Sequence, residues 1–256
     1  MTAQTLAVTT PTARNPAALL EQGRKHLALF DVDGYQDAVA CFREALDEDK
    51  SCAAAWGSLA EAYAHWGFRQ ELDGESPEIC YEFAYQFAEK ALALAFKEGA
   101  SHRAMAAALH RGARADAERR RAESSAAVEL GPTDAENWYE HWRAFGYDLA
   151  DTSIRRVLSL NPSHFAAYHD VAVALCEKDR LQEAEKWMRM ALAIHPRHSL
   201  ALFNLAMIAE RQGRAADAVS GLRAAGALYP ASRLIQDQLA ALEERLSRSG
   251  SGEAGR

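Results

Sequence analysis

The chain has 256 residues, 49% of them hydrophobic, and a formal net charge of −7. That is enough apolar material for a sizeable core, and the negative balance argues against nucleic acid or an anionic membrane as partner. No stretch reaches the ~18 apolar residues of a membrane span, and residues 1–14 lack the apolar core of a secretory signal, so a cytoplasmic protein without membrane insertion is expected.

Alternating β-branched runs are almost absent, so the elements read as helices. Residues 1–14 are expected to be a disordered tail. Asn15 and Pro16 then supply an N-cap and a first-turn proline. A first helix places Leu19, Leu20, Gly23 and Leu27 on one side, and its partner carries Tyr35, Ala38, Phe42 and Ala45. Trp56, Leu59, Ala60 and Tyr63 mark the next helix, followed by Gly67. The polar stretch 68–79 reads as an insertion ahead of a helix that Ser76 and Pro77 begin and that carries Ala84, Ala88 and Ala91.

Residues 101–131 form a weaker pair, with Ala106, Ala107, Ala108 and Leu109 in one helix and Ala126, Ala127 and Leu130 in the other. Between them Arg111, Arg114, Arg119, Arg120 and Arg121 interleave with Asp116 and Glu118, which reads as a solvated face. The helix from Ala135 carries Trp138 and Trp142, and Gly146-Tyr147-Asp148 reads as a tight turn. Two regular pairs follow over 165–198 and 199–232. Residues 233–248, with Leu234, Leu239, Leu242 and Leu246 on one side, read as a capping helix. The Gly- and Ser-rich stretch 249–256 is expected to be disordered.

Four prolines punctuate this order. Pro132, Pro162, Pro196 and Pro230 are spaced by 30, 34 and 34 residues, each just after an Ala- and Leu-rich helical turn. Proline cannot continue a helix, so the chain stops and restarts at a fixed period. Within that period stand Tyr168, Val171, Ala172 and Leu175, then Ala184, Met188 and Ala191. The next unit repeats the pattern with Leu202, Leu205, Ala206 and Ala209, then Ala218, Leu222 and Ala225. The pattern resembles the tetratricopeptide repeat, W-x2-L-G-x2-Y followed by A-x3-F and P over 34 residues. The resemblance, with Arg in excess over Lys, suggests a bacterial member. It implies an all-α, right-handed superhelical solenoid of antiparallel helix pairs with a C-terminal capping helix. The repeats would fall near 15–50, 53–98, 101–134, 135–164, 165–198 and 199–232. Trp142 breaks the pattern, standing where the family places Gly or Ala.

No P-loop, dinucleotide-binding glycine turn, HExxH or GxSxG motif is present. No catalytic residue, metal site or cofactor is expected. Cys41, Cys52, Cys80 and Cys176 show no CxxC spacing and read as buried thiols in a reducing compartment. In the family, the first helix of each repeat lines a concave groove. The resemblance therefore implies partner contacts at Glu61 and His65, His102 and Met105, Tyr139, Trp142 and Arg143, His169 and Asp170, and Phe203, Asn204, Met207 and Arg211. The family's clamp for acidic chaperone tails is not expected, since Gly57, Glu61, Met105 and Leu109 stand at its places. The leading expectation is a protein-interaction scaffold that binds a peptide or a partner helix. The alternative is a small-ligand pocket near Trp142 and the 68–79 stretch. A distinctive site is expected where the proline ladder falters, between about residues 60 and 150.

Overall fold

The computed structural model describes residues 15–29 and 32–253. The tail expected at 1–14 lies outside the described residues, as do 254–256. Thirteen helices and no strand occur among the described residues. They are α1 Pro16–Leu27, α2 Val32–Glu48, α3 Ala53–Leu72, α4 Glu78–Leu94, α5 Gly99–Ala108, α6 Ala117–Leu130, α7 Ala135–Ala144, α8 Thr152–Leu160, α9 Phe165–Glu177, α10 Leu181–Ile194, α11 Ser199–Arg211, α12 Ala215–Leu228 and α13 Arg233–Glu253. None is long and apolar enough to cross a membrane. Helix α13 runs into the stretch expected to be a tail. Once a helix is formed, each further residue adds a backbone bond, so Gly250 and Gly252 cost only about 1 kcal/mol apiece.

Local chemistry starts the helices. Asn15, Asp116, Asp134 and Asp151 accept backbone N–H bonds at the starts of α1, α6, α7 and α8. Neighbouring helices pack in pairs, α1 on α2 through α11 on α12, and α13 covers α12. The pairs approach closely because the contact positions are alanines: Ala60, Ala84, Ala91, Ala172, Ala184, Ala191, Ala218 and Ala225 are all fully buried. The large residue opening each first helix also ties down the turn before it. Trp56 Nε1 donates to the Lys50 carbonyl at 3.0 Å, Trp138 Nε1 to Pro132 at 2.9 Å, and the Tyr168 hydroxyl to Pro162 at 3.1 Å. First helices meet across pairs, α3 on α5, α5 on α7 and α9 on α11, and make the inner face.

Three stretches depart from expectation. The first is 68–79, which is not a loop excursion. Helix α3 continues through Gly67 to Leu72 and is 20 residues long. Gly67 is not a turn glycine. It lies mid-helix under Tyr81, whose ring would stand 2.7 Å from an added Cβ. Only Asp73 to Pro77 bridge to α4, with Pro77 at the N-cap.

The second is Trp142. Helix α8 has nine residues, against 14 in α6, α10 and α12, so the turn that would oppose Trp142 is missing. The indole fills that space, fully buried, and donates to the Asp148 carbonyl at 2.8 Å. Trp142 is a core residue, not a groove residue.

The third is the arginine run. Arg120 is buried against Glu140 at 2.8 Å, Arg111 lies over the Phe68 ring, and Arg114 and Arg119 lie over Tyr85. Arg114 and Arg121, with Asp116 and Glu118, stay exposed as expected, whereas Arg111 and Arg119 are half-buried and Arg120 is buried. The apolar core thins here. One cluster spans α1 to α5 and another α7 to α11. Between them Arg103 joins Glu61 at 2.7 Å, Asp134 at 2.7 Å and Asn137 at 3.0 Å, tying α3 through α5 to α7.

The extension of α3 reaches the far end of the solenoid. Asp73 accepts a 2.8 Å bond from the Ser232 hydroxyl, 159 residues away, and a 2.9 Å bond from Arg69 Nε. The Arg69 guanidinium lies 4.4 Å from the Tyr229 ring centre. Arg69, Asp73 and Ser232 are buried. Ser232 immediately precedes α13, so the Asp73 carboxylate also meets the positive end of that helix dipole. We call this contact the clasp. Removing one partner of a buried charged pair strands the other. Asp73→Ala is therefore expected to lower the unfolding free energy by about 3 kcal/mol and Ser232→Ala by about 2 kcal/mol. In urea denaturation the double variant should lose clearly less than the sum; simple additivity would mean that the two residues do not interact.

Candidate functional site

The clasp turns the inner face into a chamber. The cavity has a volume of about 390 Å³. One wall is apolar: Phe68 and Leu72 from the α3 extension, Val173 and Ala174 from α9, Leu200 and Phe203 from α11, and Leu234 from α13. The polar lining comes from His65, His110, Arg111, Arg143, Tyr147, His169, Asp170, Glu177 and Asn204, and Ala64, Tyr81 and Ala107 complete the cavity.

Two hydrogen-bonded groups organise the polar lining. In one, the Tyr139 hydroxyl donates to Asp170 at 2.6 Å and His169 Nδ1 donates to the other Asp170 oxygen at 2.8 Å. The Asn204 amide nitrogen donates to His169 Nε2 at 2.8 Å, so the ring proton sits on Nδ1. Burial alone would raise the Asp170 pKa, but the bonds from His169 and the charge of Arg143 outweigh it and hold it below the usual carboxylate range.

In the other group, Arg143 Nη1 donates to Glu140 at 2.8 Å, Nε to the Tyr147 hydroxyl at 3.3 Å and Nη2 to His110 Nδ1 at 3.4 Å. The second Glu140 oxygen accepts from Arg120 Nε at 3.0 Å and Nη2 at 2.8 Å. Two guanidiniums thus share one carboxylate. Burial opposes the charge of Arg143, but Glu140 overcomes it and raises the pKa further. Tyr147 is aimed inward by the left-handed turn Gly146-Tyr147, with φ of 88° and 58°. A side chain in that region is strained by roughly 1–2 kcal/mol, and such strain often accompanies function.

The histidines facing these arginines are neutral. Burial first, then Arg143, Arg120 and Arg111, pushes His110 down to about 2. Burial and Arg143 push His65 down to about 4. His198 caps α11, its Nδ1 accepting from Ala201 N at 3.1 Å, and burial with His169 and His195 pushes it down to about 3.

The chamber gathers His65, Arg143, His169, Asp170, Phe203 and Asn204 from the residues expected on the concave face. Tyr139 stands behind Asp170, and Glu61 is bound to Arg103. Met105 and Trp142 are fully buried and offer a partner no surface. His102 is buried between Glu123 at 2.7 Å and the Phe96 carbonyl at 2.8 Å. Met207 packs into the core beneath α13, and Arg211 bonds Asp179 at 2.9 Å and the Cys176 carbonyl at 2.8 Å. Phe68 and Leu72 fall in the 68–79 stretch named for the alternative pocket, whereas His110, Tyr147 and Leu234 were not named. The period-breaking lengths of the second and fourth units were the sequence signal for Phe68, Leu72 and Tyr147.

Helix pairs stacked around an inner chamber define a helical repeat solenoid. The family description "Tetratricopeptide repeat" matches residues 25–67 and 139–199. Over those stretches the chain carries tetratricopeptide repeats, and its fold is an all-α superhelical solenoid. No curated protein matches its sequence. Among solved structures it is similar to human IFIT1, solved as a dimer with m7Gppp-AAAA, at a TM-score of 0.63 and 15% identity over 82% of this chain and 50% of that one. The chain thus spans half the length of IFIT1. Yeast Tom70 gives 0.57 and 17%, over 96% of this chain and 60% of that one. PilW, described as a widely conserved type IV pilus biogenesis factor, gives 0.56 and 17%, over 88% and 98%. At these identities the likeness concerns the fold alone.

The neutral histidines fix a pH dependence. Their folded pKa values lie below the unfolded value of about 6.5, so on acidification the unfolded chain takes up protons that the folded chain does not. His65, His110 and His198 then stabilise above that value and lose the contribution as pH falls through it, by at most about 1.4 kcal/mol per unit each. His164, raised by Glu136 at 3.1 Å against its burial, works the other way. Urea midpoints should fall from pH 7 to pH 5, and less steeply in His110→Gln. A flat profile would show that these rings are not held neutral.

Proposed function

We propose that the protein is a non-enzymatic interaction scaffold, with six repeats and a capping helix, whose chamber receives a short extended segment of a partner protein. The supporting observation is the convergence of six concave-face residues from four repeats on one cavity of about 390 Å³. That volume lies within the roughly 300–1,000 Å³ that holds a drug-sized molecule, or about three residues of extended chain. A partner helix, about 10–12 Å across with its side chains, is too wide for it. The net charge of −7 disfavours nucleic acid. Cys52, Cys80 and Cys176 form no disulfide, in keeping with a reducing cytoplasm.

Val173 lines the cavity from α9, and Val173→Trp would fill it. That variant is expected to keep its thermal unfolding midpoint within about 3 °C of the parent. It should lose the partners that the parent captures and that mass spectrometry identifies. Undiminished capture of the same partners would put the binding surface elsewhere. The clasp, by walling one side of the groove, favours a second reading in which a small molecule is held. Native mass spectrometry of the purified protein would then show a mass of a few hundred daltons above the chain, absent in Val173→Trp; a bare chain mass in both would count against it.

A further inference from the structure

We infer that the chamber selects a segment in which an acidic side chain stands beside an apolar one. This rests on the chamber being the binding site. Arg120 and Glu140 are buried and Arg143 is half-buried, and the two guanidiniums are bonded to the one carboxylate. Asp170, held ionised nearby, offsets part of the charge of Arg143. An entering carboxylate would gain charge-assisted hydrogen bonds from the N–H groups that Arg143 leaves unused. Arg143 has five N–H donors and uses three of them, on Glu140, Tyr147 and His110. Its side chain lines the chamber. His110 accepts from Arg143 through Nδ1, so its own proton is on Nε2 and gives a second donor on the same side.

The other acids near the cavity are committed or peripheral. Asp170 accepts from Tyr139 and His169. Glu71 accepts from Arg111 and from Tyr81 at 2.7 Å. Glu177 is exposed. The donor side therefore belongs to the Arg143 guanidinium and the neutral His110 ring, and the apolar wall of Phe68, Leu72, Phe203 and Leu234 lines the same cavity.

A peptide fits better than a free organic acid. Asn204 spends its nitrogen on His169, which leaves Oδ1 as an acceptor for a backbone N–H. Asp170 likewise retains lone pairs. A fatty or aromatic acid brings no donor for these groups, whereas an extended peptide brings an N–H at every residue.

The test uses the full chain and three probes: acetyl-Leu-Glu-Leu-amide, the same peptide with Gln for Glu, and octanoate. Each is titrated into isotopically labelled protein and followed by NMR at His65, Val173 and Phe203. The Glu peptide is expected to bind about tenfold more tightly than the Gln peptide. In Arg143→Gln the difference should vanish while the circular dichroism spectrum is retained. Should that variant fail to fold, the comparison of the two peptides on the parent protein decides alone. Equal affinities for Glu and Gln peptides would overturn the acidic preference and leave the chamber standing as the site. Binding of octanoate with neither peptide bound would overturn the peptide assignment. Silence of all three probes would overturn both this inference and the reading of the chamber on which it rests.

Discussion

A single buried carboxylate holds the second repeat against the start of the capping helix. Asp73 receives the Ser232 hydroxyl and the Arg69 guanidinium in a site shielded from water. Each group alone would be costly to bury, and together they offset much of that cost, with Arg69 Nη2 alone left without a hydrogen bond. The contact can exist only because α3 runs about one and a half turns past the point where the repeat pattern stops. Those turns also carry Phe68 and Leu72. The residues that close the solenoid and the residues that line its cavity are therefore neighbours on one helix. Length, closure and chamber wall are one structural decision.

The third repeat shows how such a structure tolerates a poor core. Arg120 and Ser124 stand buried on α6 where other repeats carry apolar residues. Apolar packing is replaced by directional bonds: Arg103 spans three helices, Arg120 and Arg143 converge on Glu140, and Asn137 donates to the Ala127 and Gly131 carbonyls at 2.9 and 3.0 Å. Burial works against the charge of Arg103, and Glu61 and Asp134 together overcome it. Such a network contributes less net stability than hydrocarbon of the same volume. It does fix the angle between successive repeats, because each bond has a preferred length and direction. That angle sets where α3 and α13 meet.

Much of this was legible from spacing. The proline ladder, the alanines between the prolines and the large residues opening each pair placed the helices of the regular repeats, because those features act within one repeat and so recur at its period. Trp142 was legible as an anomaly but not as a core residue. Its burial depends on a turn missing from α8, a statement about volume that a residue pattern does not carry. The stretch 68–79 was misread because the family pattern expects a turn after Gly67, whereas Gly67 serves the packing of Tyr81. The arginine run was misread for a related reason. Its counter-charges, Glu71, Glu82 and Glu140, lie 20 to 40 residues away and belong to other repeats. About half of the expected site residues reached the cavity. Those that did not are buried in the core or bonded to other parts of the fold.

An open solenoid can gain or lose a repeat at little expense, since every unit sees only its neighbours. The bond between Asp73 and Ser232 removes that freedom. Inserting or deleting one 34-residue unit between them would swing α13 along the superhelix and carry Ser232 away from α3. Lineages of this protein can thus be expected to vary outside the arc from α3 to α13 and to keep their copy number inside it. The arc behaves as a ring with a set circumference, whose parts can change in sequence but not in number.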